Sequence, residues 1–339
     1  MPSRIVCFGE VLLRLGAPGR QMLLQSPAFE VHVGGAEANV AVSLAHFGHE
    51  AAQVGVLPDN PLGAAAAGEL RRHGVDTRAL RSRPGRMGLY FLVPGAIHRP
   101  SEVLYDRAGS AFAVAEPSDY DWPSLLAGAD WLHLSGVTPA LGQRAADAAI
   151  AAATAARAAG VKVSFDGNYR TKLWDAWKGD APGLLRRIID NADILFADHR
   201  DIAVVLGKEF AQADSESRVD AAAAAAFEAF PRLGRLATTL RTQHSVDHHA
   251  LSARMLSRDG QTHQTGSHEI SPIVDRIGAG DSFAAGVLHG LISGQSDEDA
   301  LRFGLAASCL KHSLPGDFNL LGVEDVRAFV KQGRFDVRR

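Results

Sequence analysis

The chain lacks the features that mark several large classes of protein. It has only two cysteines in 339 residues, Cys7 and Cys309, so a disulfide-stabilised scaffold is excluded and a reducing compartment is expected. No apolar run reaches the roughly 18 residues of a membrane span, and the first residues contain no signal-peptide core. We therefore expect a cytoplasmic protein with no membrane partner.

Strong charge of either sign is also missing. The 35 basic and 38 acidic residues give a net charge of −3, and no basic run with interleaved aromatics indicates a nucleic-acid partner. No P-loop motif is present. His244, His248 and His249 have no cysteine or carboxylate at metal-ligand spacing, so we expect solvent-exposed loop histidines rather than a metal site. The expected partner is a small molecule.

The chain does contain short apolar runs that alternate with Ala- and Leu-rich stretches. With 46% hydrophobic residues it can bury a sizeable core. The runs predict buried strands of a mostly parallel sheet, and the stretches between them predict covering helices, which together make an α/β fold. The predicted strands are residues 5–8, 52–56, 131–134, 161–165, 194–197 and 236–240, and the predicted helices include 61–73, 139–159, 183–191 and 280–291. No linker-like tract divides the chain, so we expect one domain over residues 1–339.

Two segments interrupt this alternation and predict a small additional sheet. Residues 11–33 carry proline and glycine turn signals, and residues 88–93 and 101–107 read as two strands joined across prolines. Strands inserted at the carboxyl edge of a parallel sheet commonly cover the ligand crevice. We predict a lid formed by about residues 11–33 and 87–110, with strand edges that favour a homo-oligomer.

Residues 274–286 carry the strongest chemical indication. Asp281 follows the small residues Gly278, Ala279 and Gly280 at the start of a predicted helix. Free amides at a helix N-terminus, together with the positive end of the helix dipole, favour phosphoryl oxygens, and glycine lets the backbone approach closely. We predict that these residues bind a transferring phosphoryl group and that Asp281 accepts the proton of the attacking hydroxyl.

This stretch resembles the D-x-x-G-x-G-D signature of the PfkB, or ribokinase-like, family of carbohydrate kinases. Residues 34–41, Gly-Gly-Ala-Glu-Ala-Asn-Val-Ala, are similar to the family's N-terminal G-G-x-x-x-N-x-A signature. Two motifs in the family's order, near opposite ends of the chain, make the resemblance span essentially the whole sequence. It implies a ribokinase-like sheet flanked by helices, with ATP and Mg²⁺ as cofactors. The need for a monovalent cation such as K⁺ stays open, with the loop carbonyls around Asp275 as its candidate ligands.

The sugar site is predicted from both chemistry and resemblance. Gly34 and Gly35 allow backbone amides to approach hydroxyl groups, and Asn39 offers both a donor and an acceptor. Glu10 stands where the family places an acid that binds substrate hydroxyls; the alternative is a solvated charge at the end of a strand. Four segments resemble the 2-keto-3-deoxygluconate kinase branch of the family. They are residues 9–10, 23–26 ahead of 33–39, 104–107, and 166–170 with the following 173–174.

An acidic sugar has chemical support as well. The planar guanidinium groups of Arg107 and Arg170 suit bidentate binding of a carboxylate, and the alternative for each is an ordinary ion pair. Tyr90 and Tyr105 lie in the predicted lid, where each can place a hydroxyl on the substrate; the alternative for Tyr90 is cross-strand packing. The resemblance adds Asn168 to this set of substrate contacts.

The nucleotide site departs from the family pattern. At residues 198–201, Asp-His-Arg-Asp replaces the usual N-x-x-E, which keeps an acid at Asp201 and puts Asp198 in place of asparagine. We expect Asp198 near the nucleotide and Asp201 near Mg²⁺ through water, the alternative for Asp201 being a charge that complements the helix dipole. The other nucleotide residues implied by the resemblance are Thr239, Arg241, Gly278, Gly280 and, together with Lys311, Asp317.

These features predict an ATP-dependent kinase that phosphorylates the C6 hydroxyl of 2-dehydro-3-deoxy-D-gluconate. The configuration at C4 stays open, so the sequence does not separate this substrate from the galactonate-derived keto acid. Two alternatives remain: a kinase for a neutral sugar such as fructose or ribose, and a non-catalytic ribokinase-like protein that senses sugar or nucleotide.

Overall fold

The structure is a computed structural model that describes residues 2–331. Its strands are β1 Arg4–Phe8, β2 Leu12–Gly16, β3 Glu30–Gly34, β4 Glu50–Pro58, β5 Leu80–Arg83, β6 Leu89–Val93, β7 Glu102–Asp106, β8 Trp131–Ser135, β9 Lys162–Asp166, β10 Ile194–Phe196, β11 Arg235–Gln243, β12 His249–Ser257, β13 Thr262–Gln264 and β14 His268–Ile270. Its α-helices are α1 Ala36–His46, α2 Pro61–Arg72, α3 Trp122–Leu125, α4 Gln143–Ala158, α5 Thr171–Trp177, α6 Ala181–Ile189, α7 His199–Leu206, α8 Ser215–Ala229, α9 Ala279–Ile292, α10 Asp297–Lys311 and α11 Val323–Val330.

A large, mostly parallel sheet forms the centre of the molecule. Its strand order is β13-β12-β11-β10-β9-β8-β1-β4-β5, with β14 beside β12. Neighbours from β5 to β11 run parallel, whereas β12, β13 and β14 add antiparallel pairs. Each predicted strand overlaps one of the parallel strands, so the predicted α/β fold is confirmed. The antiparallel edge was not predicted.

Both faces of this sheet are covered by apolar layers. On β1, Ile5 and Cys7 belong to one buried cluster and Val6 and Phe8 to the other, as the two-residue period of a strand requires. Within the described residues both cysteines are free and buried. A sheet covered on both faces needs strands that are apolar throughout, which is why the short apolar runs located them.

Helix α9 begins in the turn predicted to bind the phosphoryl group, residues Gly278–Asp281, which is called the phosphate turn below. The helix packs against α10 at very short range. A Cβ on Gly286 would lie 2.7 Å from the Cα of Gly304, so both helices need glycine where they cross. The small-residue composition of α9 therefore serves helix packing. The N-terminus of α9 lies near the carboxyl edge of the sheet, since the charge of Asp281 there raises the pKa of Asp166 at the end of β9.

Four strands form the separate small sheet, in the order β3-β2-β6-β7. They come from the two segments predicted to interrupt the βα alternation, so the second sheet is confirmed. An Arg20–Asp247 ion pair of 2.7 Å joins the chain after β2 to the hairpin between β11 and β12.

One helix prediction needs correction, because residues 139–159 are divided at Gly142, whose φ of 140° interrupts the helix before α4. In the part of the chain that the structure describes, no helix combines the length and apolar character needed to cross a membrane.

Candidate active site

The turn before α9 has the geometry of an anion site. Gly278 precedes the helix with a φ of 81°, and a Cβ there would collide with the carbonyl oxygen of Asp317. The first intrahelical bond runs from the Ser282 amide to the Gly278 carbonyl at 2.9 Å, so the Gly280 and Asp281 amides precede the helical ladder. The Ala279 amide lies 3.3 Å from the carbonyl oxygen of Arg276 and is therefore less available than predicted.

Asp281 is held by a residue from the opposite end of the chain. Asn39, on α1, donates through Nδ2 to Asp281 Oδ2 at 2.6 Å. Desolvation by the surrounding protein raises the pKa of Asp281 to about 7, although the Asn39 hydrogen bond and the Arg170 charge act in the opposite direction. A carboxylate whose pKa is raised toward neutrality is a stronger base than an ordinary aspartate and is suited to accept a proton.

Two further acids face the same region. Asp166 is the last residue of β9, and Asp201 lies in the first turn of α7. Burial and the charges of Asp281 and Asp201 raise the pKa of Asp166 well above its ordinary value, and burial with Asp198 raises that of Asp201 to about 6. Buried carboxylates close enough for one to raise the pKa of another are suited to hold a divalent cation. Asp166 was not predicted as a site residue, although an acid directly at the end of a buried strand was the available signal.

The altered nucleotide motif also has a structural task. Asp198 Oδ1 accepts from the amides of Arg200 at 2.7 Å and Asp201 at 3.2 Å, and Asp201 Oδ2 accepts from the Asp198 amide at 3.0 Å. The two acids thus form a reciprocal cap at the start of α7. Asp201 therefore lies in the first turn of α7, the position expected for a charge that complements the helix dipole. The cap holds its carboxylate in place.

A cavity of about 1340 Å³ lies beside the α9 turn. The predicted residues that line it are Asn168, Arg170, Asp198, Asp201, Thr239, Arg241, Ala279 and Gly280. Arg276 also lines it and had no predicted role. Burial and the nearby charges of Arg276 and Arg200 lower the pKa of Arg241, which shows that positive charge converges in this cavity. Such convergence favours a polyphosphate ligand.

The remaining predicted sugar residues gather around the end of β1, the start of α1 and the small sheet. Arg107 Nε donates to Glu10 Oε2 at 2.6 Å in a buried pair, and the Ser110 hydroxyl also donates to Glu10. A Cβ on Gly35 would collide with the carbonyl oxygen of Glu10. Glu10 and Arg107, predicted as separate ligands, thus form one unit. Their bond uses Nε of the arginine and is the ion pair foreseen as the alternative for Arg107.

Asp317 lies on this small-sheet side and does not line the cavity beside the α9 turn, so its nucleotide role stays a prediction. It accepts from the Tyr90 hydroxyl at 2.8 Å and lies 3.1 Å from Nε of Arg14. A Cβ on Gly34 would collide with the Asp317 carboxylate, and Tyr105 stands opposite Tyr90 in the β6–β7 pairing. Gly278 is likewise absent from the described lining of the cavity. Arg14 was missed, although a lone charge within the apolar run of β2 was a usable signal.

The three histidines differ from the prediction. His249 is fully buried at the start of β12, and Nε2 of His248 lies 2.7 Å from Oε2 of Glu269. His244, His248 and Glu269 place their ligand-type atoms within 4.8 Å of one another. The prediction of exposure is therefore wrong for His249 but not for His244, and a carboxylate lies near two of the histidines although none stands at ligand spacing in the sequence. Glu269 comes from β14, a strand neighbour that spacing along the sequence does not reveal.

Comparison with known proteins gives a consistent result. The family described as pfkB family carbohydrate kinase matches residues 2–319. A 2-dehydro-3-deoxygluconokinase of known structure from Thermotoga maritima is 40% identical, with a TM-score of 0.91 and coverage of 97% of this chain and 99% of its own.

Two curated relatives are similar along nearly their whole length. A 2-dehydro-3-deoxygalactonokinase from Haloferax volcanii is 31% identical over 100% of both chains. A 2-dehydro-3-deoxygluconokinase from Bacillus subtilis is 27% identical over 93% of this chain and 91% of its own. Because the family match covers nearly the whole chain and includes both predicted signatures, the protein belongs to the pfkB family of carbohydrate kinases.

Proposed function

We propose that the protein transfers the γ-phosphoryl group of ATP to the C6 hydroxyl of 2-dehydro-3-deoxy-D-gluconate. The observation that carries this proposal is the setting of Asp281, whose pKa of about 7 suits a general base. Its carboxylate accepts a hydrogen bond from Asn39, and the charge of Arg170 in the cavity acts on its pKa. The names of the Thermotoga maritima and Bacillus subtilis relatives support a gluconate-derived substrate. The Haloferax volcanii name makes the galactonate-derived acid the first competitor to test.

The proposed reaction needs little covalent chemistry from the protein. The C6 oxygen forms a bond to the γ-phosphorus as the bond between that phosphorus and the bridging oxygen of ADP breaks, and the hydroxyl proton passes to Asp281. Phosphoryl transfer is usually loose, so positioning and charge stabilisation dominate its catalysis. The Gly280 and Asp281 amides, with Arg241 and Arg276 of the cavity, supply that stabilisation in this proposal.

The acids Asp166 and Asp201 would hold Mg²⁺ through water. Their raised pKa values indicate carboxylates that are short of positive charge, so the residues fit the ion. Bound there, Mg²⁺ would neutralise charge on the β- and γ-phosphates of ATP. Asp198 caps α7 and pairs with Arg200, and in this proposal it orients that arginine to bind the nucleotide.

Asp201→Asn tests this assignment. We expect the Mg²⁺ concentration for half-maximal rate to rise about 10–100-fold, as is typical when a group that supports a metal is removed. ADP production across a Mg²⁺ titration measures it. Asp198→Asn is the matched control, because it restores the family's asparagine and keeps a capping side chain, and its Mg²⁺ curve should resemble that of the wild type. Identical curves for Asp201→Asn and the wild type would contradict the assignment.

Arg170 is proposed to bind the substrate carboxylate. It is exposed at the cavity, and its charge is close enough to Asp281 to lower the pKa of that acid. Because charge-assisted hydrogen bonds contribute about 1.5–3 kcal/mol, Arg170→Ala should raise KM for the keto acid about 10–100-fold. Lys172→Ala removes a nearby exposed charge and should leave KM unchanged. Equal KM values for both variants would argue for a neutral sugar.

One assay separates the candidate functions. ADP production is measured with the gluconate- and galactonate-derived keto acids and with fructose, ribose and adenosine. Preference for a keto acid supports the proposal, and preference for fructose or ribose supports the neutral-sugar alternative. Calorimetric binding of sugar and nucleotide without ADP release from any substrate would identify the sensor.

The chain is proposed to act as one kinase domain in which the small sheet is the lid and also pairs two copies. Val31 on β3 and Leu104 on β7 are 55% and 60% exposed, and these are the two edge strands of that sheet. Exposed apolar side chains on unpaired edges favour association. Light scattering should give the mass of a dimer for the wild type and of a monomer for Val31→Asp with Leu104→Asp. A monomeric wild type would refute the pairing.

A further inference from the structure

A monovalent cation was expected near the loop carbonyls around Asp275, and the carboxylate of Asp275 itself is held by three protein groups. Its Oδ2 lies 2.6 Å from Nη2 of Arg14 and accepts from the Gly316 amide at 3.0 Å, and its Oδ1 accepts from the Ile277 amide at 3.0 Å. The ion pair is buried, with Arg14 side-chain exposure of 3%. A carboxylate with a guanidinium and two amides has little capacity left for K⁺. The Asp275 carboxylate is therefore a poor additional ligand for that ion.

A second protein cation lies directly behind the phosphate turn. Lys311, the last residue of α10, is fully buried, and its Nζ donates to the carbonyl oxygen of Leu314 at 3.0 Å. Its Cε lies only 3.4 Å from the position that a Cβ on Gly278 would take. The lysine side chain thus passes against the residue that begins the turn. Burying an ammonium group costs desolvation free energy, so a buried lysine beside this turn indicates a functional role there.

The surroundings keep Lys311 charged at neutral pH. Burial lowers its pKa to about 8, while the charges of Asp275, Asp317 and Asp281 act to raise it. Arg14 acts in the same direction as burial. Most molecules therefore carry an ammonium at this position at pH 7. Asp281 belongs to the turn itself, so the ammonium and the phosphoryl site share one electrostatic environment.

We propose that the Lys311 ammonium is a built-in monovalent cation that stabilises negative charge on the phosphoryl group bound by the Gly278–Asp281 turn, so that phosphotransfer needs no K⁺. This inference rests on the proposed kinase function. Lys311 is a positioning residue, because it acts through the turn and does not touch the substrate. Preorganised charge aimed at a transferring group is an effective source of rate enhancement.

The wild-type enzyme gives the first test. ADP production is compared in KCl, NaCl and tetramethylammonium chloride at equal ionic strength, since the last cation is too large for an ion site. We expect rates within about twofold of one another, as for a preorganised charge. A rate that rises tenfold or more with K⁺ would overturn the inference while leaving the kinase function intact. Absence of ADP in every salt would instead refute the kinase function itself.

Two variants complete the test. Lys311→Met keeps the bulk of the side chain and removes the charge, and kcat should fall about 10–100-fold, the size expected for a unit charge acting across several ångströms of protein. Lys311→Ala opens space at the same point, and methylammonium or K⁺ should restore part of its rate and raise its melting temperature. Neither ion should shift the melting temperature of the wild type. Full kcat for Lys311→Met, or no rescue of a folded Lys311→Ala, would contradict the inference.

Discussion

Asp281→Asn is expected to lower kcat by about 10²–10⁴-fold, the range typical of losing a general base. Asn39 donates to Asp281 Oδ2, so the carboxylate is oriented before substrate arrives. Asparagine keeps the shape of the side chain but cannot accept the hydroxyl proton. Single-turnover ADP formation measures the effect on chemistry apart from product release. Nearly full turnover by a folded variant would refute the proposed role.

The pH dependence of the wild type provides a second signature of the same residue. Since the pKa of Asp281 is raised to about 7, its proton-accepting form is lost as pH falls below 7, and kcat/KM should fall with it. Asp166 and Asp201 titrate in the same environment, so the observed pKa belongs to the group of acids as a whole. Asp281→Asn should retain only the part of the profile that Asp166 and Asp201 produce.

The same substitution should not destabilise the fold. A carboxyl group whose pKa is about 7 when folded and about 3.9 when unfolded binds its proton more tightly in the folded state. The folded state is favoured by this group at low pH, and that advantage is lost as pH rises from about 4 to 7. At pH 8 the variant should therefore melt at or above the wild-type temperature. A loss of activity together with higher stability would distinguish catalytic loss from unfolding.

The central fold could be predicted because its physical causes are local. Strands buried on both faces must be apolar throughout, so residues 5–8 and 131–134 stood out from the helices between them. The antiparallel edge was missed because β12 is partly exposed and its sequence, His-Ala-Leu-Ser-Ala-Arg-Met-Leu-Ser, mixes polar with apolar positions. Glycine and proline signals located the small sheet, since turns need special backbone conformations that those residues supply.

The candidate site was less predictable, because sequence spacing does not state which charges meet. Asn39 and Asp281 are 242 positions apart, and only their separate motifs indicated a shared site. The Glu10–Arg107 and Arg14–Asp275 pairs depend on how the small sheet docks. Each of these four side chains is polar in a mostly apolar setting, which predicts a partner but does not identify it.

Glycine substitutions at the α9 turn should separate folding from phosphoryl binding. Gly278→Ala places a methyl group against the Asp317 carbonyl at a φ of 81°, so both folding and activity should suffer. The left-handed conformation alone costs about 1–2 kcal/mol. Gly294→Ala is the matched control, since Gly294 has a φ of 74° with no neighbour within 4 Å of the added carbon. Gly278→Ala should therefore lower the melting temperature several degrees more than Gly294→Ala does.

Gly280→Ala should have the opposite signature, because the fold has space for its methyl group and the proposed ligand does not. Gly280 lines the cavity, and a Cβ there meets no atom within 4 Å. Alanine is more favourable than glycine in a helix by up to about 1 kcal/mol, so the melting temperature should be unchanged or slightly higher. If the γ-phosphate approaches this amide, kcat/KM for ATP should fall on the order of 10–100-fold, through loss of transition-state contacts. A stable Gly280→Ala enzyme with wild-type kinetics would place the phosphoryl group elsewhere, whereas a stable and slow one would locate it at the N-terminus of α9.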